Sequence, residues 1–335
     1  PLLLEALGAA EEACRAVSNC IFRRPAAEAR ADRCRGLCAA LAALAAAGRE
    51  EQPGSLVAPV GGRGRFGEGG APAAALALAA LQVRVEAMAA LANICRNANL
   101  LGPPCKAWRT LHLVLRPKTL WGVSSSLRYA EVEEECMLQA LRLFTNASCN
   151  PIHQRRIVQQ GCLTSLVDLL QHRDGTHYST LAATCLANLS SLKANRQAMI
   201  LLNIPSLLLV PLQQEAKGTQ FQLARALCNL LAAADWSTKN QLTQKGLLAT
   251  VLGIMKTSTD LNAPSAEKIS SSQYEGPVDN LSCVRQRALS DEVRHHGIAE
   301  EEVEMGLSSD LNAICSKILS CTLTSSMQHG AAFSW

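Results

Sequence analysis

The strongest constraint on this 335-residue chain is a phrase that returns along it: an apolar, helix-like stretch that closes on asparagine. It reads "ACRAVSNCI", "MAALANICR", "ALRLFTNAS", "TCLANLSSL" and "ARALCNLLA", placing asparagines at Asn19, Asn93, Asn146, Asn188 and Asn229. The last three are 42 and 41 residues apart, a period that signals helical repeat units rather than a single globular core. The stretch after each asparagine repeats too. Gly161 opens "GCLTSLVDLL" 15 residues after Asn146, Asn203 opens "NIPSLLLVPL" 15 after Asn188, and Gly246 opens "GLLATVLGIM" 17 after Asn229. Gly and Asn are the residues that most readily take a left-handed backbone conformation, which a sharp turn between helices requires. The runs "CRGLCAALAALAAA" from Cys34 and "WRTLHLVL" from Trp108 keep the same phase after Asn19 and Asn93.

Each unit therefore reads as a long helix ending near the Asn, a short helix, a Gly-type turn and a medium helix. This resembles the armadillo repeat, over residues 1–256 and most specifically for the units at Asn146, Asn188 and Asn229. The resemblance implies an all-α, right-handed superhelical solenoid of about five repeats. A helical-hairpin array of HEAT type is the alternative. Composition agrees: the chain is 48% hydrophobic but 4% aromatic, with the apolar mass in Ala and Leu, both strong helix formers.

Where the period breaks, insertions account for it. A Gly/Pro/Arg-rich insertion is expected over 48–73 and a loop insertion over 116–130. Residues 257–306 are polar and Ser-rich and read as a disordered loop, followed by a terminal helix or damaged repeat over 307–323 and a tail over 324–335. Asn312 lies 83 residues after Asn229, close to two periods, so a repeat and a coincidence are both open.

The resemblance implies that the last helices of successive units line a groove. A row of asparagines there offers donors and acceptors to the main chain of an extended peptide; the alternative use is to bond the neighbouring repeat. Four residues before each Asn, on the same helix face, stand Arg15, Ala89, Arg142, Thr184 and Arg225. Importin-alpha adaptors characteristically carry Trp there, and none does here. The three Arg resemble instead the basic groove of beta-catenin-like proteins, whose partners are extended acidic peptides; Arg grips carboxylates bidentately. The expected function is a non-catalytic interaction scaffold binding an acidic peptide through Asn19, Asn93, Asn146, Asn188, Asn229, Arg15, Arg142 and Arg225. Two armadillo precedents give alternatives: a dissociation-stimulator-like regulator of a small GTPase, and the substrate-recruiting part of a ubiquitin ligase.

No P-loop, nucleotide-binding glycine motif, nucleophile elbow or zinc-protease helix occurs, so neither a catalytic residue nor a cofactor is expected. Cys34 and Cys38 read as helix packing rather than a metal site, and His295–His296 match no standard zinc spacing. Fourteen cysteines set in apolar helical runs indicate a reducing, cytoplasmic environment, with a nuclear location as an additional option. Three Asn-x-Ser triplets, at Asn146, Asn188 and Asn280, are then chance glycosylation matches. No uninterrupted apolar span of membrane length is expected, and a net charge of +4 makes no demand for nucleic acid. "GGRGRFGEGG" has too few Arg and aromatics for an RNA-binding segment and reads as a flexible loop. Arg285 and Arg287 before Ser290 form a pattern that basophilic kinases read, making Ser290 a candidate phosphosite. The chain opens on Pro1 rather than Met, as a piece of a longer protein would.

Overall fold

The computed structural model describes residues 2–23, 31–46, 70–96, 107–115, 127–172, 176–260 and 300–328, and every regular element among them is a helix. The described residues form an all-α structure of repeating helices. It divides into two compact units. The first comprises Pro1–Ala147 with Gln159–Ser165, the second Ser148–Val158 with Leu166–Trp335.

In the first unit α1 (Leu2–Arg23), α3 (Gly70–Arg96) and α5 (Leu127–Ala147) pack in succession, α1 on α3 and α3 on α5. Helix α2 (Ala31–Ala46) lies on α3 and on the short α4 (Trp108–Leu111), which continues as a 3-10 turn over His112–Leu115. Small residues set the packing distance: Ala42, Ala45, Ala87, Ala90, Ala92 and Ala140 are all buried. Trp108 fills the space they leave, edge-on to Phe144 at 5.2 Å between ring centroids. Both rings are completely buried. Contrary to the expectation from sequence, residues Ala75–Arg96 of α3 are long and apolar enough to cross a membrane. In this unit the stretch is a packed core helix carrying buried Leu81, Met88, Leu91 and Ile94.

The three-helix pattern is plainest from Pro151 onward, mostly within the second unit. Helices α6 (Pro151–Gln159), α7 (Leu163–His172) and α8 (Thr176–Ser191) form one repeat. The next is α9 (Lys193–Leu201), then α10 (Ile204–Leu207) and α11 (Leu209–Gln214), then α12 (Lys217–Leu231). A further unit begins with α13 (Trp236–Gln244) and α14 (Leu247–Asp260), and α15 (Glu300–Gln328) is the last described helix. Pro205 at the start of α10 and Pro211 inside α11 shorten the second helix of the middle repeat. It bends from α9 by 73°.

The residues expected to turn the chain do so. Among the described residues the positive-φ positions are Gly161 (78°), Asn203 (56°) and Gly246 (91°). Each joins the first helix of a repeat to its second. The insertions end earlier than expected, because helix is already formed at Gly70 and at Leu127; residues 70–73 and 127–130 are helical, not loop. Likewise α14 runs on to Asp260, and α15 starts at Glu300 and continues to Gln328, past the limits of 307–323. The disorder expected between these helices falls outside the described residues.

An L-residue in the left-handed region costs about 1–2 kcal/mol that glycine avoids. Gly246→Ala is therefore expected to destabilise the protein by that amount in urea denaturation, although a Cβ there meets nothing within 4 Å. Asn203→Gly is expected to be neutral or stabilising. Loss of stability in both variants would contradict the turn assignment.

Candidate functional site

The asparagines are the place to look, because each third helix ends with one. Asn146 donates through Nδ2 to the carbonyl of Ala92 at 2.9 Å, joining α5 to the end of α3. Asn188 donates to Ser148 Oγ at 3.1 Å and lies 3.6 Å from Cys149 Sγ. Asn229 donates to Ser190 Oγ at 3.1 Å. In each case the acceptor lies at the end of the preceding repeat. The rule inside the second unit is simple: the ladder Asn gives a hydrogen bond backwards, and the Ser two residues after it receives one from the next repeat. This is why Asn146–Ala147–Ser148 and Asn188–Leu189–Ser190 look like glycosylation triplets.

Arg225 adds a second stitch at the same joint. Its Nη2 donates to Asn188 Oδ1 at 2.5 Å, so Asn188 is held from both sides. Thr180 and Thr219 hydroxyls share a hydrogen bond of 2.7 Å farther along the α8–α12 contact. Asn195, 3% exposed, gives Nδ2 to the carbonyls of Gln154 and Leu189, and Gln154 gives Nε2 to those of Ser148 and Asn188. Arg196 covers the carbonyls of Ser190 and Ser191, satisfying the open C-terminus of α8.

Among the other candidate residues, Arg15 is exposed on α1 and committed to acidic neighbours. Its Nη2 meets Glu11 at 2.6 Å, and its Nε and Nη2 each meet Glu86 at 3.1 Å. Those carboxylates raise its pKa, led by the hydrogen bond to Glu86. Asn93 is half-buried near the end of α3. Arg142 is half-buried on α5 with no hydrogen bond or ion pair among the described residues. Asn19 lies within α1, but its side chain is outside the described residues, as are Ser290, His295 and His296. Among the described residues no group of three or more His, Cys, Asp or Glu is placed to hold a metal ion.

The sequence pattern missed one pair. On α15, Lys317 and Cys321 have the four-residue spacing of Arg225 and Asn229, and both interact electrostatically with Cys228 on α12.

No family model and no curated protein matches this chain. Solved structures with a resemblance include an engineered protein (TM-score 0.43, 16% identity, 92% of this chain and 97% of that one). Another is a designed armadillo repeat protein in complex with the peptide (KR)4 (TM-score 0.41, 15% identity, 91% and 99%). A third is a computationally designed armadillo repeat protein for modular peptide recognition (TM-score 0.39, 18% identity, 72% and 92%).

The stitches differ in strength. Asn188→Ala removes two of them at once, so it is expected to cost about 2 kcal/mol, against about 1 kcal/mol for Asn229→Ala. Equal losses in urea denaturation would show that the Arg225 bond contributes nothing. A pH dependence is expected from His153 on α6, which is buried, with Arg156 nearby. Burial first, and that cation second, lower its pKa from 6.5 to about 4. The unfolded chain takes up this proton near pH 6.5 and the folded chain only near pH 4. Stability is therefore full above pH 6.5, falls as pH drops from 6.5 to 4, and levels off below. His153→Asn is expected to flatten that slope in denaturation series across the window.

Proposed function

We propose that the chain is a non-catalytic protein-binding scaffold whose third-helix face takes an extended, acidic peptide. One observation carries this reading. Helices α8 and α12 together hold Lys217 and Arg225 and not one carboxylate. Lys317 on α15 is exposed and makes no hydrogen bond or ion pair among the described residues. Such cations attract carboxylates at little further cost.

The stitches refine which residues serve the ligand. Arg15 already carries two carboxylates and Arg225 already holds Asn188, so these two are poor candidates for direct contact. An amide has two N–H groups and a carbonyl oxygen. Asn229 spends one N–H on the preceding helix and retains the rest for a peptide main chain. Asn188 has its carbonyl oxygen occupied by Arg225 and serves as a positioning residue.

The test is fluorescence anisotropy with a glutamate-rich peptide and a lysine-rich control of equal length. Expected is salt-sensitive binding of the acidic peptide only, weakened about tenfold by Lys317→Glu. Equal binding of both peptides, or no effect of the charge reversal, would sink the reading.

A further inference from the structure

The left-handed turns between first and second helices differ in one respect. Gln159 and Gln160 lead into Gly161, and Gln244 and Lys245 lead into Gly246. The middle repeat instead places Leu201 and Leu202 before Asn203. Leu201 is 76% exposed and Leu202 47%, and Val210 on α11 is 58% exposed. Packing does not call for leucine at this turn, since polar pairs make the same turn in the repeats on either side.

The surroundings of this turn suit a lipid surface. Helices α9, α10 and α11 are together apolar enough for a membrane-length segment, but the chain bends by 73° between them. Met199, Ile204, Leu208, Leu209 and Leu212 are also buried within the fold, so the segment does not span and its turn is the part that lipid can reach. Three exposed apolar side chains fall well short of the roughly 800 Å² per partner that a stable protein interface buries. The charge nearby is of one sign. Lys245 Nζ donates to Ser206 Oγ at 3.1 Å, which sets a cation beside α10. Helices α9, α10, α11 and α13 hold Lys193, Arg196, Lys239 and Lys245 and no carboxylate. Glu215 and Asp235 stand at the other ends of α11 and α13, away from the turns. An apolar tip flanked by cations complements an anionic bilayer.

We propose that the Leu201–Leu202 turn is a membrane-contact tip for an anionic lipid surface. The two leucines enter the boundary between headgroups and acyl chains, and Lys245 stays among the headgroups. A single small anchor of this kind gives shallow, reversible binding, to which both the apolar and the charged part contribute. The tip lies between first and second helices and does not depend on the acidic-peptide reading of the third helices.

The experiment is flotation of the full chain with phosphatidylserine-containing vesicles, beside vesicles of phosphatidylcholine alone. The wild-type chain is expected to float at least about fivefold more with the anionic vesicles. Leu201→Ser with Leu202→Ser keeps every charge and is expected to cut the floating fraction about tenfold. Lys245→Glu keeps the leucines and is expected to cut it about fivefold. The leucines are exposed, so the double variant is expected to keep the wild-type far-UV circular dichroism, which separates lost binding from lost folding. A wild-type chain that does not float, or either variant floating like the wild type, overturns the proposal. Self-association that the leucine variant abolishes, without vesicle binding, also overturns it and makes the turn a contact between copies.

Discussion

The register of the second unit depends on the polar joint at Asn188. Apolar burial brings the third helices together but is indifferent to small slides, since one Ala or Leu replaces another with little penalty. A hydrogen bond is not indifferent. Asn188 reaches back to Ser148 and is itself gripped by Arg225 from the next helix, so three successive segments are fixed at one point. Asn229 on Ser190 repeats the backward half one unit on. The same economy explains the small residues of the first unit, where buried alanines allow α1, α3 and α5 to approach closely and Trp108 occupies the remaining volume.

The groove asparagines are joints before they are ligands. A row of amides in phase suggests a ladder for a bound peptide, yet each of the three bonded ones has a partner within the fold. The proposed recognition of an acidic peptide therefore rests on groups the second unit has not consumed, the spare N–H and carbonyl of Asn229 and the cation Lys317, while Asn188 acts through the fold.

Much of the repeat is readable from the sequence, for a physical reason in each case. Gly161, Asn203 and Gly246 are legible because a left-handed turn restricts residue type locally, without reference to anything distant. The asparagine phase is legible because the same contact recurs one repeat apart. The role of Arg225 is not, since its target is a side chain 37 residues away that the sequence does not mark as an acceptor. The commitment of Arg15 to Glu86 is hidden likewise, by a separation of 71 residues. The early end of the first insertion escapes notice because Gly70 and Pro72 read as breakers, whereas a proline in the first turn of a helix is tolerated.

If these side-chain joints, and not apolar packing alone, set how one repeat meets the next, Arg225 and Asn188 must be energetically coupled. A double-mutant cycle on Arg225→Ala and Asn188→Ala, read by urea denaturation, measures that coupling. A value of about 1–2 kcal/mol between the two positions is expected. Additive losses, with a coupling within about 0.3 kcal/mol of zero, would mean that Arg225 and Asn188 do not act on each other and that the joint is apolar after all.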